Sequence, residues 1–385
     1  MQKSPFARTW VILLALIPAL LIGLTASHYV SSLEPSGATH PQPVTDATFH
    51  STDSGYVVVK DRQPPVRQWP MTKLTTLPPA PSQPGNDIDL TRKNLSDLDL
   101  RQAGDLLVKY ATFGTETVWP KQLPDGFDPQ KFMELGKDPG LGIRALQKQG
   151  ITGKGVRVAI LDQTLLRTHE EYKGQVKSYT EVGLVVTSPE LHGAAVASLL
   201  AGKSIGVAPG VTLEYYATEF IKDWNTRTRT FLPMAQVINL ILDENKNLPR
   251  QEQVRVISAS IGVMAQEEGY AELLQAYQRA IREGVLVVTT DMNNHYPYDF
   301  WGLGRQPASD PNDPRSYIPG DWWADRFYGG DPMFSATSGS KAIYVPMDSR
   351  TVASPTGDKK YTFYRTGGES WAIPYAAGVY ALVLQ

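Results

Sequence analysis

Thr366-Gly367-Gly368-Glu369-Ser370-Trp371-Ala372-Ile373-Pro374-Tyr375-Ala376-Ala377-Gly378, near the end of the sequence, is the stretch that decides the fold. A glycine pair lets the backbone turn tightly, a serine follows, and small and apolar residues then set a helical pattern. At a helix start a serine hydroxyl lies in the partial positive field of the N-terminal amides, which suits a nucleophile that develops negative charge. A plain serine N-cap with an early helix proline would be written in the same letters. The two readings separate on whether an aspartate and a histidine stand upstream in matching settings.

Both do. The apolar run Val156-Arg157-Val158-Ala159-Ile160-Leu161 reads as a buried strand and ends in Asp162. Side chains at the carboxyl ends of parallel strands face a ligand crevice. Leu191-His192-Gly193-Ala194-Ala195-Val196-Ala197-Ser198 sets a histidine at the head of a small-residue helix. Of the other histidines, His28, His40 and His50 belong to the N-terminal extension, and His169 and His295 have no such helix. Taken singly, Asp162 could cap a loop and His192 could be a satisfied structural residue.

Together the three segments resemble the subtilisin-like serine proteases. Gly153-Lys154-Gly155-Val156 matches the lead into the family's triad aspartate, and His192-Gly193 with Val196-Ala197 matches its histidine helix. Gly368, Ser370, Ala372 and Pro374 match its nucleophile segment, and Gly206-Val207-Ala208-Pro209 a family-like turn. The order Asp, His, Ser is that of subtilisin among the triad folds. The resemblance runs from roughly residue 140 to 385 and implies a three-layer α/β fold, a mostly parallel sheet with helices on both faces. It further implies that Asp162 orients the imidazole, His192 takes the proton of Ser370, and Ser370 attacks a peptide carbonyl. By the same resemblance Asn293, past Gly284-Val285-Leu286-Val287-Val288, would donate to the oxyanion. Ser260, Ile261 and Gly262 would form the edge on which a peptide substrate lies as an added strand. The chain departs from the pattern at Gln163-Thr164, Ala195, Val263, Met292 and Glu369, and Glu369 sets a carboxylate beside the nucleophile.

These features point to an extracytoplasmic serine endopeptidase, with a catalytically weak peptide-binding or assembly module as the alternative. An esterase with the same triad is disfavoured, since the candidate nucleophile Ser370 stands in no Gly-x-Ser-x-Gly elbow. The formal net charge of −2 argues against nucleic-acid binding, and the absence of cysteine excludes disulfides and thiolate chemistry. No cofactor is implied; structural calcium is frequent in the family, but no compact acidic loop marks a site.

The rest of the chain divides by composition. In residues 1–27, Lys3 and Arg8 precede an apolar run, the layout of a signal peptide, or of a membrane anchor through residues 9–26 if uncleaved. The product is therefore expected to be secreted or membrane-anchored, its catalytic part outside the cytoplasm. Residues 28–86 are proline-rich and read as an extended linker, with a short strand at Tyr56-Val57-Val58-Val59. Residues 87–150, with a leucine cadence and a helical pattern over Phe127–Gly150, read as an N-terminal cap or pro-segment. Residues 151–385 form the catalytic domain, with strands and helices alternating and long surface loops over 295–340. The helical pattern over Ala376–Leu384 reaches Gln385 without cap, glycine or proline, which reads as a fragment with an exposed, easily frayed helix.

Overall fold

A computed structural model of the chain describes residues 50–51, 56–66, 69–83, 85–183, 188–223, 226, 228–290, 292, 296–320 and 341–385. Residues 1–27, read as a signal or anchor, and the candidate oxyanion donor Asn293 lie outside the described residues.

Residues 50–150 supply strands β1 (His50–Ser51), β2 (Val57–Lys60), β3 (Ile88–Asp89) and β4 (Ala111–Gly114). They also supply helices α1 (Gly104–Tyr110), α2 (Pro129–Lys137) and α3 (Ile143–Lys148). The remainder alternates: β5 (Arg157–Asp162), β6 (Val176–Val182), α4 (Leu191–Ala201), β7 (Thr212–Thr218), α5 (Leu232–Asn245), β8 (Val254–Ala259), α6 (Tyr270–Arg282) and β9 (Leu286–Thr289). It closes with β10 (Tyr298–Arg305), β11 (Tyr317–Pro319), β12 (Lys341–Pro346), β13 (Arg350–Ala353), β14 (Tyr361–Tyr364) and α7 (Glu369–Leu384).

The main sheet has the order β1-β2-β6-β7-β5-β8-β9. Its five strands from β6 to β9 are parallel, and the β1-β2 hairpin adds antiparallel to the β6 edge. Side chains alternate across the sheet as a pleated strand requires. On β5, Val158 and Ile160 pack beneath α4 and α7, while Ala159 and Leu161 pack against α5 and α6. Both faces are covered, which is why these strands read as continuous apolar runs. Helix α4 is apolar all round because both of its sides are buried: Ala194 and Ala197 meet the sheet core, Ala195 and Leu199 meet Trp371 and Val352.

Of residues 295–340, expected to be surface loops, 298–305 and 317–319 are strands instead: β10 pairs parallel with β12 and antiparallel with β11 in a three-stranded sheet. The end of α7 is tied to the turn before β5. The Gln385 side-chain oxygen accepts from the N–H groups of Thr152, Gly153 and Lys154 at 2.7, 2.7 and 3.1 Å, and its amide donates to the Gly150 carbonyl. Trp371 through Gly378 of that helix are buried, although Val383 is 75% exposed.

The segment before residue 151 is built into this frame. Strand β2 occupies the place foreseen for it, and Arg62 reaches the buried Glu181 of β6 at 2.7 Å. The sheet β13-β14-β4-β3 joins two strands of the cap to two from beyond residue 350. Phe113 of β4 stacks on Phe363 of β14 with centroids 5.0 Å apart, in a core that also holds Leu90, Leu95, Leu100, Leu107, Phe127 and Phe132. The leucine cadence thus fills one small core and makes no solenoid.

Candidate active site

Strand β5 lies where the sheet order reverses, with β7 on one side and β8 on the other. At such a switch point the carboxyl ends open onto a crevice. Asp162 ends β5, and Ser260 follows β8, whose Ser258 is paired with Ile160. The two strand ends therefore reach the crevice side by side.

His192 is the second residue of α4. Its Nδ1 lies 2.8 and 2.9 Å from the two oxygens of Asp162, and both side chains are largely buried. An Nδ1–H donated to the carboxylate fixes the tautomer and leaves Nε2 as the basic nitrogen. Asp162 also accepts from the Gln163 N–H at 2.8 Å. The turn that departs from the family pattern is tied down by the Tyr215 hydroxyl, which donates to the Gln163 carbonyl. A Cβ on Gly193 would lie 2.5 Å from that hydroxyl and 2.6 Å from that carbonyl. Glycine after the histidine is what lets the helix come close enough for the pair to form.

Ser370 is the second residue of α7, entered through Gly368 at φ 67°. Its hydroxyl donates to the Ser260 carbonyl at 3.3 Å, and the Ser260 hydroxyl donates to the Ser370 carbonyl at 3.0 Å. Pro374 explains the second bond. Lacking an N–H, it cannot close the i→i−4 bond on Ser370, so that carbonyl is free for an outside donor. Trp371 packs edge-on against the His192 ring with centroids 5.5 Å apart, which sets the imidazole against the start of the serine helix. Among the described residues no hydrogen bond joins Ser370 to His192.

Leu161, Asp162, Gln163, His192, Ser260 and Ile261 share a shallow crevice with Thr218, Phe220 and Met234. The structure thus brings Asp162, His192 and Ser260 together, with Ile261 alongside, and Ser370 is hydrogen-bonded to Ser260. The Ile261 carbonyl accepts from the Thr289 hydroxyl at 2.8 Å and the Gly262 carbonyl from Arg229 at 2.6 Å. Each keeps a second lone pair for another donor. Met292 is fully buried in the core, a placement only its apolar character could have suggested. Sequence reasoning also missed Tyr215 and Trp371 as supports, because their spacing from the motifs carries no pattern. Among the described residues no group of His, Asp and Glu side chains is arranged to hold a metal ion.

The sequence profile of the Subtilase family matches residues 153–385. No curated protein matches the chain. Among solved structures, the prenylagaramide maturation protease PagA is similar at 19% identity and TM-score 0.43, over 63% of this chain and 79% of that one. The patellamide maturation protease PatG is similar at 15% identity and TM-score 0.40, over 63% and 80%. A PatG macrocyclase in complex with peptide gives 16%, 0.41, 63% and 79%.

Proposed function

The chain belongs to the subtilase family, and on that premise we propose that it is a serine endopeptidase working through Asp162, His192 and Ser370. The observation that carries the reading is the Asp162 carboxylate on His192 Nδ1, at the head of a helix packed against Trp371. With Nδ1–H so held, Nε2 accepts the Ser370 proton as Oγ attacks the scissile carbonyl, and later returns it to the leaving amine. The Asp162 carboxylate stabilises the imidazolium between the two transfers. For this transfer the Ser370 hydroxyl must leave the Ser260 carbonyl and turn to the imidazole. A substrate peptide would lie along Ser260, Ile261 and Gly262, and Asn293 would face its oxyanion.

The placement outside the cytoplasm is part of the same proposal and rests on Lys3, Arg8 and the apolar run that follows them. Protease added to intact cells should then reach residues 28–86; protection until the membrane is opened would contradict it.

The occupied Ser370 hydroxyl favours, as a second reading, a peptide-binding module without turnover. Hydrolysis of an unstructured protein substrate, followed by mass spectrometry of the products, separates the two. The protease reading expects internal cleavage that disappears in Ser370→Ala and His192→Ala, by roughly a million-fold in kcat on the subtilisin precedent. Retained cleavage in His192→Ala would remove the triad; binding without cleavage in the parent chain would leave the module.

A further inference from the structure

Residues 87–150 precede the segment that matches the family profile, yet they hold the approach to Ser370. Asp87 is half-buried, and its Oδ2 accepts from the hydroxyl of Thr112 and, at 3.0 Å, from the backbone N–H of Thr366. The Thr112 hydroxyl in turn accepts from the N–H of Arg365 at 3.0 Å. The next amide, Gly367 N–H, is held by Asp348 at 2.9 Å. Three successive amides ahead of the nucleophile are thus pinned by side chains, two of them from the N-terminal unit. Between that clamp and Ser370 lie Gly368 and Glu369, and Gly367 and Gly368 are the least self-constrained of backbones. Nothing in their own conformation would fix the serine's position if the clamp were released.

We propose that Asp87, acting with Thr112, is a positioning residue for the nucleophile, and that residues 87–150 are a permanent part of the active site and not a pro-segment shed on activation. The inference rests on the reading of Ser370 as nucleophile. Burial pushes the Asp87 carboxyl up to about 6, against the hydrogen bonds from Thr112 and Thr366 and the charge of Arg365. A desolvated carboxylate is an expensive way to hold a turn, and the groups it holds are the amides that set where α7 begins. The strand that carries Thr112 is fixed independently, since Phe113 stacks on Phe363. Removing the carboxylate should therefore loosen the serine without unfolding the unit.

The test uses the full chain and four proteins: the parent, Asp87→Ala, Asp87→Asn and Thr112→Val. Two things are measured in each: the rate at which a fluorophosphonate labels Ser370, and kcat and KM on a peptide substrate. A displacement of about 1 Å costs on the order of a hundred-fold, so Asp87→Ala and Thr112→Val should label and turn over ~10- to 100-fold more slowly with KM little changed. Asp87→Asn, which keeps an acceptor oxygen, should recover most of the rate. Intact mass should find residues 87–150 in the labelled species. A folded Asp87→Ala that labels at the parent rate would overturn the inference while leaving the protease reading intact. So would a labelled species that begins after residue 150. If Asp87→Ala does not fold, Thr112→Val decides by the same criteria. A parent chain that never labels takes down the protease reading, and this inference with it.

Discussion

Pro374 and Ser260 act on the same carbonyl oxygen, that of Ser370. The proline withholds the helical N–H from it, and the Ser260 hydroxyl supplies a bond in its place. In Pro374→Ala the i→i−4 bond can form, competing with Ser260 for the same oxygen. Since proline inside a helix costs about 3 kcal/mol, the variant should unfold at an equal or higher urea concentration while Ser370 reacts more slowly with the phosphonate. A less stable variant of unchanged reactivity would contradict this account. Asp87 gives a second prediction at this scale. Its carboxyl is raised by burial to about 6, so the folded state holds the proton to a higher pH than the unfolded chain does. The sign follows: its contribution is fully present below the unfolded carboxylate range and is lost as pH rises through about 6. The loss amounts to roughly 3 kcal/mol at ~1.4 kcal/mol per unit of pKa. Urea unfolding of the parent against Asp87→Asn between about pH 4 and 8 should show that slope in the parent alone. Asp162, His192 and Ser370 were legible as letters because their motifs are local. Asp87 was not, because its partners Thr112 and Thr366 are distant in sequence and only the shared sheet brings them together.

Among the elements, the N-terminal segment departs furthest from what its composition suggests. Proline-rich residues 28–86 read as linker, yet β2 is a strand of the main sheet, paired with β1 and β6, and Arg62 is paired with buried Glu181. Removal of one partner leaves the other charge buried and unpaired, at a cost of about 3–5 kcal/mol. Arg62→Ala should therefore lower the unfolding free energy by a few kcal/mol, where a tethering linker would give no measurable change. Phe113→Ala should cost about 3–5 kcal/mol by the cavity it leaves against Phe363, and in one cooperative transition that includes the catalytic residues. A separate early transition would show that the cap folds as its own unit. Parallel strands can be read from apolar runs, as β5 is from residues 156–161. The strands β10 and β11 lie among glycines, prolines and aspartates, where turn signals outweigh a weak alternation. Helices α2 and α3 were run together as one pattern, although Asp138, Pro139, Gly140 and Gly142 break the backbone between them.

At the scale of the whole molecule, Asp162 and His192 meet, and Ser370 is bonded to the neighbouring Ser260, because β5 sits at the reversal of the sheet order, and α4 and α7 cover the same face. The architecture was readable in advance, since three motifs in one order on an alternating pattern leave few topologies open. How the N-terminal unit closes on the far end of the chain was not, because no motif records a sheet shared between residues 88–114 and 350–364. The same closure puts the central claim, a working Asp162-His192-Ser370 triad, in reach of one measurement. The full chain is treated with a fluorophosphonate, digested, and the adduct mapped by mass spectrometry, with His192→Ala and Asp162→Ala in parallel. The account predicts a single adduct on Ser370 in the parent and loss of that adduct in both variants. An adduct on another serine, or one on Ser370 that forms as fast without His192, would contradict it.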